Sequence, residues 1–210
     1  LGRPLAMFDT VSSETGQVVG LDIVYIAIGK MTRQLARRRP GDIIDIWGPL
    51  GNGFPAFSCR HLLLVAGGIG HTPLYALAKE RLGQKEYGNR SRIMPRIEKA
   101  TLCYGSRSAN CLAGVDEFRD AGIHVQICTE DGSIGHRGLV TDGLQAVLTE
   151  STEGCHIVCC GPESMLEATA RMATAWNVPC DVSLETPMAC GIGLCYSCVA
   201  KIRQADGGWD

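Results

Sequence analysis

Between residues 60 and 185 the sequence alternates short apolar runs with amphipathic segments, and this alternation restricts the possible folds more than any other feature. Apolar runs of strand length occupy 61–66, 100–104, 123–128, 155–160 and 180–184, with helical patterns at about 73–82, 138–149 and 162–176 between some of them. A run that is apolar on both faces suits a strand covered on both sides. Five such runs with crossovers predict a parallel sheet flanked by helices, the doubly wound arrangement. Ahead of them, 21–28 (LDIVYIAI) and 42–47 (DIIDIW) are short and β-branched and predict antiparallel strands of a small β module. The stretch GPLGNGFP then marks a loop and a boundary. Residues 83–98 are polar, basic and without period, which predicts an exposed loop, and after Glu185 the alternation gives way to a cysteine-bearing tail.

The chain has 210 residues, 45% of them apolar and 20% charged, enough for one large or two small soluble domains. Its net charge of -2 gives no electrostatic case for nucleic acid, which calls for a clustered basic surface. The one basic cluster, Arg33 to Arg39, reads as a solvated helix face. No run of 18 apolar residues and no signal peptide occurs, so the expected setting is cytoplasmic, without a membrane span. Eleven cysteines, an odd number, argue for reduced thiols over a disulfide framework and raise the question of metal ligation.

The segment MACGIGLCYSC places Cys190, Cys195 and Cys198 at C-x4-C-x2-C, the spacing of a plant-type 2Fe-2S site. Gly191 and Gly193 suit a backbone that must bend closely around inorganic sulfide. The competing reading is a zinc knuckle, although zinc sites usually repeat a C-x2-C pair or add histidines, and no histidine follows His156. A plant-type site takes a fourth cysteine, and none follows Cys198 before Asp210. With its start at Leu1 rather than a methionine, the sequence is read as an internal fragment.

The second signal is LLLVAGGIGHTPLYALAKE, an apolar strand, a glycine-rich turn and a helix. Gly67, Gly68 and Gly70 would let the backbone approach a pyrophosphate lying at the positive end of the helix that Thr72 and Pro73 begin. Alone this is an ordinary strand-to-helix connection. It gains weight because Cys160, Gly161 and Pro162 end another buried strand, as do Tyr104, Gly105, Ser106 and Arg107, and doubly wound sheets bind ligands at the carboxyl ends of their strands. His71 falls inside the turn and is a candidate ligand contact. His61, His124 and His156 read as structural, and Trp47 and Trp176 as core. Most of the remaining cysteines lie in apolar strands, where a thiol behaves as a small hydrophobe.

In the β module, Arg3-Pro4-Leu5-Ala6, Val24-Tyr25-Ile26 and Met31-Thr32 read from the residues alone only as a strand start and a turn. The order RPLA, VYIAIGKMT, GPLGNGF, AGGIGHTPL, YGSR, TEDGS, CGP and CGIGLCYSC nevertheless closely resembles the electron transfer subunits of class 1B dihydroorotate dehydrogenases, in the ferredoxin reductase superfamily. The resemblance covers essentially the whole chain. It implies an α/β-plus-β architecture with three parts: a partial FAD-binding antiparallel β-barrel at 1–54 lacking its N-terminal strands, a doubly wound parallel-sheet NAD-binding domain at 55–185, and a truncated 2Fe-2S cluster segment at 186–210.

By the same resemblance Arg3, Pro4, Leu5, Ala6, Val24, Tyr25, Ile26, Met31 and Thr32 hold FAD. Ala6 replaces a hydroxyl that would bond the flavin, and Met31 replaces a glycine near its phosphates. One neutral hydrogen bond is worth about 0.5–1.5 kcal/mol, so FAD remains the expected cofactor. The implied partner is a catalytic FMN-containing dihydroorotate dehydrogenase subunit in a heterotetramer serving pyrimidine synthesis, with NAD as the electron acceptor. The alternatives are a flavin and iron-sulfur reductase subunit of another complex, of hydrogenase or ferredoxin reductase type, and a zinc-stabilised binding module.

Overall fold

The computed structural model describes residues 3–88, 93–186, 188–192 and 194–201. In chain order the regular elements are β1 (Asp9–Ser12), β2 (Val18–Asp22), α1 (Lys30–Leu35), β3 (His61–Gly67), α2 (Thr72–Arg81), β4 (Lys99–Ser106), α3 (Val115–Asp120), β5 (His124–Thr129), β6 (His136–Arg137), α4 (Val140–Glu150), β7 (Cys155–Cys160), α5 (Glu163–Ala175) and β8 (Cys180–Ser183). The fold is α/β plus β: a six-stranded parallel sheet in the order β6-β5-β4-β3-β7-β8, and an antiparallel hairpin of β1 and β2. The chain divides into two compact units, one of residues 1–5, 25–52 and 184–210, the other of 6–24 and 53–183.

The sheet organises the second unit. In β3 the run Leu62 to Ala66 is completely buried because it is covered on both faces and paired on both edges. Its side chains alternate. Leu62, Leu64 and Ala66 pack with Leu74 and Tyr75 of α2 and Phe118 of α3, joined by Phe8. Leu63 and Val65 pack on the other face with Leu144 and Leu148 of α4 and Leu166 and Ala173 of α5. This is the period-two geometry of a strand acting on a continuously apolar sequence.

Two expectations about the β module are corrected. The strand at 21–28 is β2, shifted to Val18–Asp22, and its partner β1 precedes it. No strand forms at 42–47, where Ile43 is 86% exposed and Trp47 66%. Strand propensity expresses how well a side chain fits a packed pleated surface, and among the described residues this segment has neither a ladder partner nor cover. Trp47 is therefore not a core residue.

The segment 83–98, read as an exposed loop, carries part-buried anchoring groups. Asp9 is buried, and its carboxylate accepts from Lys79 and Lys85, both at 2.7 Å, from the Tyr87 hydroxyl at 2.7 Å and from the Thr10 N–H at 2.7 Å. Burial by itself would raise the Asp9 pKa. The two ammonium groups and the other donors outweigh burial and hold it well below the usual carboxylate range. His156 is also structural: it bonds Asp181 at 2.7 Å and stacks on Phe57.

Candidate functional site

In the sheet order, β3 and β7 are the neighbours from which the chain winds in opposite directions, with β4 and β5 on one side and β8 on the other. Ligands of open α/β sheets bind at such a switch point, outside the carboxyl ends of the strands. Here β3 ends in the turn Gly68–His71 leading to α2, and β7 ends at Cys160, followed by Gly161, Pro162 and α5. Both helices begin at this edge, so two positive helix ends stand beside the same crevice.

The glycines of the turn divide the work. A Cβ on Gly70 would lie 2.0 Å from the Cys160 carbonyl oxygen, and one on Gly67 would lie 2.7 Å from both Pro162 Cδ and Met165 Sδ. These two glycines let the turn interlock with the end of β7. Gly68 differs: its φ is +53° and nothing lies within 4 Å of the Cβ position. It is the glycine of the three that borders open space, where a phosphate can approach the backbone.

Thr72 does not face that space. It is buried, and its hydroxyl donates to the Ile69 carbonyl at 3.0 Å, fastening the turn. His71 is also fully buried, which sets aside a direct ligand contact for it. Burial pushes its pKa down, so the ring is neutral at ordinary pH. With the Gly68 carbonyl 2.9 Å from Nδ1, we assign the proton to that nitrogen. Tyr104 Oη lies 3.0 Å from the same nitrogen and accepts from the Ala113 N–H at 3.4 Å. Through His71 and Tyr104 the glycine turn is tied to the loop after β4.

That loop is clasped in turn by the one after β5. Asp131 accepts from the Ser133 N–H at 2.9 Å and hydroxyl at 2.6 Å, and Ser133 Oγ accepts from the Ala109 N–H at 2.7 Å. Met165, Tyr104 and Ser133 were not singled out from the sequence as supports. Of them only Tyr104 and Ser133 sit in motifs, YGSR and TEDGS, that already stood out.

In the other unit the three thiols stand on one loop. Cys190 Sγ accepts N–H groups from Ile192 at 3.5 Å and Leu194 at 3.3 Å, and Cys195 Sγ is 3.0 Å from Ser197 Oγ. The Ser197 hydroxyl is the largest cause of a Cys195 thiol pulled down to about 6, with backbone N–H donors and Cys190 adding to it. Among the described residues no three potential ligands converge on a single ion. A 2Fe-2S cluster does not require that, because its protein ligands are divided between two irons. Three thiols on one loop, with hydrogen bonds already made at Cys190 and Cys195, fit such a cluster in their chemistry. Gly193 lies outside the described residues.

The profile of the oxidoreductase NAD-binding domain family matches residues 64–171, which hold the glycine turn and the end of β7. The dihydroorotate dehydrogenase B (NAD+) electron transfer subunit of Caldanaerobacter subterraneus subsp. tengcongensis is 36% identical over 187 residues, covering 89% of this chain and 68% of the relative. That of Bacillus caldolyticus is 37% identical over 209 residues, covering 98% and 73%. The chain belongs to the dihydroorotate dehydrogenase B electron transfer subunit family. Among solved structures, the NADH-dependent reduced ferredoxin-NADP oxidoreductase, described for flavin-based electron bifurcation, superposes with a TM-score of 0.70 at 29% identity, over 98% of this chain and 74% of that one.

For a dihydroorotate dehydrogenase B electron transfer subunit, the residues expected at the flavin are placed as follows. Arg3, Pro4 and Leu5 are exposed, Tyr25 is half-buried and Ile26 is 50% exposed. Met31 and Thr32 lie in the first turn of α1, a helix where a turn was expected, and Thr32 Oγ1 accepts from the Gly29 N–H at 3.0 Å. In the α/β unit Ala6 is exposed, whereas Val24 packs against the Phe8 core. Among the described residues no helix is long and apolar enough to cross a membrane.

Proposed function

We propose that this chain takes electrons from a catalytic FMN-containing dihydroorotate dehydrogenase subunit and delivers them, through a 2Fe-2S cluster and FAD, to NAD+ in a cytoplasmic heterotetramer of pyrimidine synthesis. The observation that carries this reading is the interlocked switch point, Gly67 to Gly70 against Cys160 to Pro162, in a family chain that also bears the C-x4-C-x2-C loop. When bound, the flavin supplies the exchange between one-electron and two-electron traffic that no side chain can perform.

The protein's own residues bind and orient. Gly68 offers open backbone to the dinucleotide phosphates, and Gly67, Gly70 and Gly161 allow the close packing that shapes the crevice. Thr72 and His71 hold the turn from behind, while Cys160 and Pro162 form its opposite wall. Arg3, Pro4, Leu5, Ala6, Val24, Tyr25, Ile26, Met31 and Thr32 are the proposed flavin residues, with the exposed Arg3 guanidinium suited to a phosphate. Cys190, Cys195 and Cys198 are the proposed cluster ligands. The segments 1–54, 55–185 and 186–210 are the corresponding proposed domains.

The test is dihydroorotate-dependent reduction of NAD+ on mixing full-length protein with the candidate catalytic subunit. Reduction that requires both proteins is the expected result. A flavin- and iron-loaded protein that oxidises NADH with an artificial acceptor but never couples to dihydroorotate would assign it to another complex.

A further inference from the structure

We propose that Ser197 is a positioning residue that raises the reduction potential of the cluster held by Cys190, Cys195 and Cys198, an inference that rests on the cluster assignment above. Ser197 Oγ lies 3.0 Å from Cys195 Sγ and also accepts the Ala189 N–H at 3.1 Å. A serine hydroxyl has a single proton. Because the Ala189 N–H occupies a lone pair on the oxygen, that proton is left for the sulfur, which as a metal-bound thiolate can only accept.

The backbone between the two residues supports the same geometry. Tyr196 has φ +54°, a left-handed conformation that a residue with a bulky side chain rarely adopts. This bend separates Cys195 from Ser197 by one residue while bringing the Ser197 side chain back to the sulfur. The cost of such a conformation is accepted only where surrounding contacts fix it. Ser197 thus joins the residue before the first ligand to the second ligand.

Hydrogen bonds to ligand sulfurs withdraw negative charge from them and favour the more negative, reduced state of a cluster. The loop directs two backbone donors at Cys190 and this one hydroxyl at Cys195. Backbone donors survive substitution, whereas the Ser197 hydroxyl can be removed without touching a ligand. It therefore provides an adjustable contribution to the driving force between the partner and the flavin.

The test uses full-length, cluster-loaded protein and an EPR-monitored redox titration, with iron content measured in parallel. Ser197→Ala should keep its iron and shift the midpoint potential downward by roughly 30 to 60 mV, a three- to tenfold change in the one-electron equilibrium. Ser197→Thr, which keeps the hydroxyl, should stay near the wild-type potential. Ser197→Val has the shape of the threonine variant without its hydroxyl and should follow the alanine variant. If Ser197→Ala loses its cluster, the threonine and valine pair decides the matter.

A wild-type potential in Ser197→Ala or Ser197→Val at full iron content would overturn the proposal. Absence of iron from the wild-type protein is a different failure, that of the cluster assignment itself.

Discussion

Replacing Gly70 by alanine is expected to destabilise the α/β unit by about 3 kcal/mol or more and to weaken NAD+ binding at least about tenfold. The added methyl would stand 2.0 Å from the Cys160 carbonyl oxygen and 2.9 Å from the Gly161 nitrogen. Both are backbone atoms of the neighbouring strand end, so no side-chain rotation relieves the clash. The turn after β3 must withdraw from β7, opening the crevice that both segments form. Gly68→Ala provides the contrast. Nothing obstructs its methyl, and its φ of +53° costs only about 1–2 kcal/mol, yet the methyl enters the open space assigned to phosphate. Denaturant unfolding and NAD+ titration of the two variants separate packing from ligand approach. Wild-type stability and affinity in Gly70→Ala would contradict the interlocked turn.

Asp9→Ala is expected to cost about 2–4 kcal/mol at neutral pH, somewhat below the value for a fully buried ion pair because Lys79 and Lys85 keep some contact with water. The substitution leaves two ammonium groups and the Tyr87 phenol without their shared acceptor. The pH dependence has a definite sign. The folded pKa of Asp9 lies below its ordinary value of 3.8, so its contribution is present above that value and is lost as pH falls toward the folded one. The gap between wild type and Asp9→Asn should therefore narrow below about pH 4. A gap that stayed constant down to acid unfolding would show that the carboxylate charge is not what Lys79 and Lys85 require.

The interior strands were legible because their environment is uniform. β3, β4 and β7 are buried enough that an apolar run announces each of them, β5 is buried over its second half and β8 is half-buried at the sheet edge, while the helices α4 and α5 carry a regular apolar period and α2 is buried on nearly every side. What escaped was short or defined by a partner outside its own run. β1 is defined by its pairing to β2, and β6 is two residues long. The Asp9 cluster joins groups about 70 residues apart or more, so no local pattern in 83–98 announces Lys85 or Tyr87. In the glycine turn the sequence marks three glycines alike. Their different roles follow from where β7 ends, which only the sheet determines. At the cysteine loop the spacing singles out three thiols as proposed ligands, but the donors at the Cys190 and Cys195 sulfurs depend on local backbone angles that spacing does not encode.

The central claim, that electrons pass here through an iron-sulfur cluster and a flavin, is tested most directly by the visible spectrum of full-length, anaerobically purified protein combined with metal and flavin analysis. Flavin bands together with cluster absorption that bleaches on reduction, and two irons per chain, are the expected result. A flavin spectrum without cluster bands and without iron, or zinc in place of iron, would contradict it.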